Sequence, residues 1–238
     1  MKIARIVVPL LALIAIVLLL ISGPGVHLGG WTFVTGFKLL KWAVFAGIAA
    51  AVLGIIALIV PATRRGFSTW LTVSIIAGLV VAWVPWHWAQ RARSVPAIHD
   101  ISTDTANPPQ FVAVLPLRKS APNSAVYGGA AVAAQQHAAY PDIKPLHLNL
   151  PPAQAFRRAL DAAKAMDWKM VAVVPAGGRI EATATTAWFG FKDDIVVRVR
   201  AEGSGSLVDV RSESRVGRSD IGTNAARVRS YLRKLAGG

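Results

Sequence analysis

No aspartate or glutamate occurs before Asp100, and the first 88 residues carry six basic residues and three long apolar stretches. A chain of this kind cannot begin as a water-soluble globule. IVVPLLALIAIVLLLI (6–21) is the first stretch; the second runs from about Leu39 to Val60, and the third from about Ser68 to Trp88. A bilayer core of about 30 Å needs about 20 helical residues, so the second and third can span it outright. The first is shorter, but ISGPG after it offers no small-x-small cleavage signal. It reads as an uncleaved anchor, and residues 1–90 as a membrane part with three spans.

Basic residues set the expected orientation. Lys2 and Arg5 precede the first span, and Arg64 and Arg65 lie in the short loop between the second and third; positive flanks stay on the cytoplasmic side. Lys38 and Lys41 oppose this, but at a helix edge their stems can snorkel to the headgroups. Three spans then give a multi-pass inner-membrane protein of bacterial type, its N-terminus cytoplasmic and its C-terminal domain periplasmic. WVPWHWAQRAR ends the third span, with Trp83, Trp86 and Trp88 as an interfacial belt beside His87. No ionisable residue lies mid-span, so an ion path or proton relay lacks its usual parts. Ala43, Gly47 and Ala51, with Ala46, Ala50 and Gly54, recur at four-residue spacing in the second span. Small residues at that spacing allow close helix packing.

Beyond the spans the composition changes. From residue 89 the chain has 20 basic and 12 acidic residues, and about 150 residues can bury one core. The absence of cysteine excludes disulfides, thiolate metal sites and cysteine nucleophiles. Nucleic acid is not an expected partner: part of the +14 net charge flanks the spans, and no recognition motif accompanies it. Residues 91–140 read as an irregular linker, with Pro108-Pro109 forbidding a helix there and an Ala/Gly-rich insert following.

From residue 141 regular patterns appear. LHLNL (146–150) alternates as a strand, and PPAQAFRRALDAAKAM (151–166) opens with prolines suited to a helix N-terminus. WKMVAVVP (168–175), RIEATATTA (179–187), DDIVVRVRA (193–201) and SLVDVRSESRV (206–216) read as four strands. SDIGTNAARVRSYLRKLAGG closes the chain as a helix capped by Ser219 or Asp220. Strand, helix, four strands and helix predict an α+β domain: an antiparallel sheet with both helices on one face.

Side-chain alternation then sorts the strand residues. Val208, Val210, Ser212 and Ser214 turn inward with Ile195, Val197 and Val199. Asp209, Arg211, Glu213 and Arg215 turn outward with Asp194, Arg198, Arg200, Arg179, Glu181 and Thr183. Two readings of this polar face stand side by side: a solvated surface laced with ion pairs, or a recognition surface whose arginine forks suit carboxylate or phosphate. Arg218, Asp220, Asn224 and Arg227 extend the second reading to a helix N-terminus, although a capping Asp220 would occupy the donors there itself. The ligand-binding candidates are Arg198, Arg211, Glu213, Arg215, Arg218, Asp220, Asn224 and Arg227.

Enzymatic signatures are sparse. Asp193 and Asp194 are neighbours on a strand and point to opposite faces. Ser212 and Ser214 lie in no nucleophile elbow. The five histidines show no metal spacing, and no phosphate or dinucleotide loop is present, so neither a metal nor a cofactor is expected. His99 with Asp100 and Asp104, together with Asp194, form the secondary set of candidates and the only local acid/base grouping.

IHDISTDTANPPQF, YPDIKPL, TATTAWFGFKDDIVVRV and VDVRSESRVGRSDIGTNAARVRSYL resemble, in order and spacing, the bacterial and plastid family called domain of unknown function 1499. The likeness covers about 98–235, interrupted by the Ala-rich insert, and RSxSRxGxSDxGxNxxR is its most specific block. The resemblance implies a membrane-linked or extracytoplasmic domain and no particular activity. Its motif residues fall on Asp100, Thr103, Asp104, Asp193, Asp194, Arg198, Arg211, Ser214, Arg215, Gly217, Asp220, Gly222, Asn224 and Arg227. The expected role is non-enzymatic: a domain that meets membrane lipids and binds an anionic envelope component or a protein partner through its arginine face. A ligand-free structural or assembly role is the alternative, and a hydrolase-like enzyme the third.

Overall fold

The computed structural model describes residues 2–237. The chain divides into two compact units, one up to residue 91 together with 187–190, the other comprising residues 92–186 and 191 onward.

The first unit is built from α1 (Lys2–Ser22), the short turn α2 (Pro24–His27), α3 (Phe33–Ile59), the short turn α4 (Pro61–Arg64) and α5 (Ser68–Ser94). Three helices are long and apolar enough to cross a membrane, and the first is longer than the 16-residue stretch that the apolar run alone suggests. Leu10, Val17, Leu20, Ile48, Val52 and Ile55 are exposed on the outside of this unit, an apolar surface suited to lipid. Its interior is made of small residues: Ala43, Gly47, Ala50, Ala51 and Gly54 of α3 are buried. At the crossing of α3 and α5, a Cβ on Gly47 would lie 2.7 Å from the Gly78 carbonyl oxygen. The recurring small residues therefore serve packing within one chain. Arg5 donates to the carbonyls of Thr63, at 3.1 Å, and of Ala62, at 2.8 Å, so the basic N-terminus and the Arg64–Arg65 loop share one end of the bundle.

The second unit contains β1 (Asp100–Ser102), α6 (Gly129–Ala139), β2 (Leu146–Leu148), α7 (Pro152–Lys164), β3 (Lys169–Val174), β4 (Arg179–Thr185), β5 (Lys192–Glu202), β6 (Gly205–Ser214) and α8 (Thr223–Gly237). All strand pairings are antiparallel. The sheet runs β1-β6-β5-β4-β3, with β2 also paired to β6. This is an α+β domain with α7 and α8 on one face. Phe156, Ala159 and Ala163 of α7 and Ala225, Val228, Tyr231 and Leu235 of α8 bury against Ile195, Val197, Val208 and Val210 of the sheet. The Tyr231 ring stacks on Trp168, and its hydroxyl donates to the Ala159 carbonyl at 3.0 Å, which satisfies the one polar atom it buries.

Two parts of the segment read as irregular are ordered otherwise. Residues 129–139 form α6, because an alanine-rich run has high helix propensity and glycines only at its start. Buried Gln136 ties that helix to β1, receiving a bond from Ser102 N–H and donating to Ser102 O. Asp100–Ser102 pairs with β6 as an edge strand. Residues 103–127, between β1 and α6, form a strap containing a single 3-10 turn at Leu115–Arg118.

Candidate functional site

Pleat parity brings the polar residues together as alternation requires. Thr183 pairs with Asp194 and Asp194 with Glu213, while Glu181 pairs with Val196 and Val196 with Arg211, so these rows share one face. The expectation that this face meets solvent is corrected by the strap, which covers it. Arg211 and Asp209 are 0% exposed and Glu213 is 1% exposed. The cover is neither of the two helices; it is the turn-rich segment 103–127, whose Phe111 and Val114 pack on Val196.

The strap is fastened chiefly by polar bonds. Glu181, fully buried, accepts hydrogen bonds at 3.0 Å from the consecutive amides of Val112, Ala113 and Val114. Arg179 Nε lies 2.8 Å from the same carboxylate, a charge contact rather than an aligned hydrogen bond. Arg118 reaches down from the 3-10 turn to Asp194 at 2.8 Å and Glu213 at 2.9 Å. Arg215 grips Asp194 with two bonds of 2.8 Å and donates to the Leu117 carbonyl at 3.0 Å. Arg211 makes a two-pronged pair with Asp100, at 2.9 and 2.7 Å, and donates to the carbonyls of Pro109 and Ala125. Its guanidinium also lies over the rings of Phe111 and Tyr127. Arg198 joins Asp209, Asp104 and the Asn107 carbonyl, and Arg200 adds a bond to Asp209 at 2.9 Å.

Six arginines (118, 179, 198, 200, 211 and 215) thus meet six carboxyl groups (100, 104, 181, 194, 209 and 213) on this face. The balance leaves little spare charge for an external anion. The groups titrate unequally. Burial pushes the Glu213 carboxyl up to about 8, reinforced by the nearby Asp100 and Asp194 charges and opposed by Arg118 and Arg211. Asp100 is also raised, burial outweighing its bonds from Arg211. For Asp194 the same desolvation is overcome by bonds from Arg215, Thr183 and Arg118, which hold it below the usual carboxylate range. Tyr127 is half-buried, and desolvation together with the nearby Asp100 charge pushes its hydroxyl up to about 12.

The remaining candidates lie elsewhere. On the helix side, Ser212 Oγ donates to Asn224 Oδ1 at 2.7 Å, and Asn224 Nδ2 donates to Ser214 Oγ at 2.9 Å. Arg227 donates to Asn224 Oδ1 and pairs with Asp193 at 2.6 Å. Asp193 and Asp194 do face opposite sides. Asp220 accepts from the amides of Gly222 and Asn224, so it holds the donors at the start of α8 for itself. Arg218 is exposed. The His99 grouping does not assemble: Asp100 is taken by Arg211, Asp104 by Arg198, and His99 Nδ1 lies 3.4 Å from the Arg218 carbonyl. Among the described residues no group of three metal-binding side chains forms.

Three fastenings escaped sequence reasoning: Arg118, the triple-amide grip on Glu181, and Asn123, whose side chain donates to the Ser214 and Gly217 carbonyls at 2.9 Å. Arg118 is an isolated arginine in LPLR and carries no local signal of its partners. Glu181 was legible as a member of the polar face but not as the recipient of strap amides.

The fold and site define a protein with three helices suited to a membrane and an α+β domain whose charged sheet face is neutralised from within. The family model described as protein of unknown function (DUF1499) matches residues 100–235, more than half of the chain. The chain belongs to that family. A search of curated proteins finds no match to it.

Proposed function

We propose that the protein is a non-enzymatic, multi-pass inner-membrane protein, N-terminus in the cytoplasm, whose α+β domain stands on the periplasmic side and engages an anionic envelope component. The observation that carries this reading is how charge divides between inside and outside. From residue 92 on, Arg93, Lys119, Lys144, Arg157, Lys164, Lys169, Lys192, Arg218, Arg233 and Lys234 are exposed, against the exposed acids Asp142, Asp161, Asp167 and Glu202. The other carboxylates are paired with arginines or hold the α8 cap, so exposed cations outnumber exposed acids ten to four, a steeper ratio than the 19 to 12 of the same segment as a whole. A surface of one sign draws polyanions by long-range attraction that salt screens. The arginine face is balanced six against six and adds no net charge, so in this reading the exposed cations are the contact surface.

The test uses the full chain in neutral phosphatidylcholine nanodiscs, mixed with sucrose-loaded vesicles of phosphatidylcholine with or without phosphatidylglycerol. Sedimentation with the anionic vesicles, reversed by salt, is the expected result. Equal recovery with both vesicles would end this reading. A second reading, a ligand-free structural or assembly role, is favoured by the internally balanced network; it predicts that equal recovery. An enzyme is disfavoured because Asp194 is sealed beneath the strap and the His99 grouping is dispersed.

A further inference from the structure

Beyond residue 91 the exposed large apolar side chains are Val112, Leu115, Leu117, Val126 and Val173, and four of these five lie on the strap. Single exposed leucines are ordinary on a protein surface, but three within six residues of one fastened segment are not. Val112 is 49%, Leu115 44% and Leu117 52% exposed. They cannot turn inward. Glu181 holds the amides of 112–114, Phe111 and Val114 fill the space beneath, Arg118 anchors the far end of the turn, and Arg215 holds the Leu117 carbonyl.

Exposed cations are tied to the Leu117 end of this tip. Exposed Lys119 follows it directly. Arg215, which binds Leu117, donates its own amide to the Lys192 carbonyl at 2.9 Å. Asn123 of the strap binds the carbonyl of Gly217, the neighbour of exposed Arg218. The exposed acids, Asp142, Asp161, Asp167 and Glu202, lie on other parts of the unit: the α6–β2 connection, α7, the turn after α7, and the opposite end of β5.

We infer that the strap tip is a lipid-insertion element: Val112, Leu115 and Leu117 enter the interfacial layer of an anionic bilayer while Lys119, Lys192 and Arg218 meet its phosphate headgroups. Apolar side chains presented by a rigid turn, with exposed cations linked to its Leu117 end, match the two halves of a lipid interface, and burial plus charge attraction add. The occupant is a bilayer rather than a protein groove because the same chain carries three helices suited to a membrane, which keeps lipid at high local concentration. The inference deepens the proposed function and rests on it for the headgroup contacts. The ion network acquires a use in it: it holds the apolar tip outward.

The chain has no cysteine, so Leu117→Cys creates a unique labelling position, with Leu115→Cys as an independent second and Ser204→Cys, in the exposed β5–β6 turn, as the control. Each full-length variant, carrying an environment-sensitive fluorophore, is reconstituted into phosphatidylcholine–phosphatidylglycerol bilayers with or without brominated acyl chains. Labels at 117 and 115 are expected to shift to the blue and to be quenched by bromine several-fold more than the label at 204. Equal quenching at all three positions would overturn insertion, even if salt-sensitive sedimentation with anionic vesicles persists. Quenching confined to 117 and 115 but unchanged in pure phosphatidylcholine would overturn the headgroup contacts and, with failed sedimentation, the electrostatic reading.

Discussion

Replacing Arg211 with alanine removes the most enclosed cation of the domain and leaves its partners behind. Asp100 loses both prongs of its pair, at 2.9 and 2.7 Å, and Glu213 loses a weaker contact at 3.4 Å. Both acids remain under the strap, Glu213 still held by Arg118 at 2.9 Å and Asp100 left without its cation. Breaking a buried pair by removing one partner costs about 3–5 kcal/mol, because an uncompensated charge stays buried. The freed carbonyls of Pro109 and Ala125 and the lost contacts with Phe111 and Tyr127 act in the same direction. At about 2–4 °C per kcal/mol for a domain of this size, the unfolding midpoint should fall by about 6–20 °C. Differential scanning fluorimetry of the full chain in detergent, using tryptophan emission, would read this. The partner double variant Arg211→Met with Asp100→Leu should recover much of the loss, since replacing a whole buried pair by apolar groups is often neutral. An Arg211→Ala midpoint within about 2 °C of the parent, equivalent to about 1 kcal/mol or less, would mean that the guanidinium is solvated and that the strap does not close the face.

Glu213 gives a pH signature. An unfolded carboxyl of this type titrates near 4.5, whereas the folded one keeps its proton to about 8. Between these values the native state binds more protons, so this group's contribution to stability falls as pH rises from about 4.5 to about 8. Glu213→Gln should flatten that part of the midpoint-versus-pH curve, and an unchanged slope would count against the burial. Glu181→Ala should free the amides of 112–114 and make the Arg118–Lys119 bonds of the strap cut faster by trypsin, with the sheet still folded by circular dichroism. Asp142→Asn breaks only an exposed pair with Arg229. Such pairs contribute about 0.2–1 kcal/mol, so its midpoint should move by about 4 °C at most.

Much of the domain could be read from alternation and caps. Val208 and Val210 fell inward, Asp209, Arg211 and Glu213 shared the other face, and Asp193 and Asp194 were split between the two. Each of these follows from the two-residue period of a strand, which one sequence displays in full. The cover could not be read in this way. Residues 103–127 carry prolines and turn formers and no period, and they are fixed by contacts far along the chain, such as Val112 to Glu181, 69 positions away, and Arg118 to Asp194, 76 positions away. An alternating polar row marks a face; whether water or another segment satisfies it is decided by tertiary packing. The helix at Gly129–Ala139 escaped for a different reason: alanine and glycine lie at opposite ends of helix propensity, and reading them together as one small-residue stretch hid the alanine-rich half.

The strap seals the charged sheet face by giving three of its amides to one carboxylate. Hydrogen–deuterium exchange on the full chain addresses it at those amides. Val112, Ala113 and Val114 should exchange orders of magnitude more slowly than the exposed β5–β6 turn, and Glu181→Gln should accelerate them. Exchange of all three at the rate of that turn, in the unaltered protein, would contradict the account.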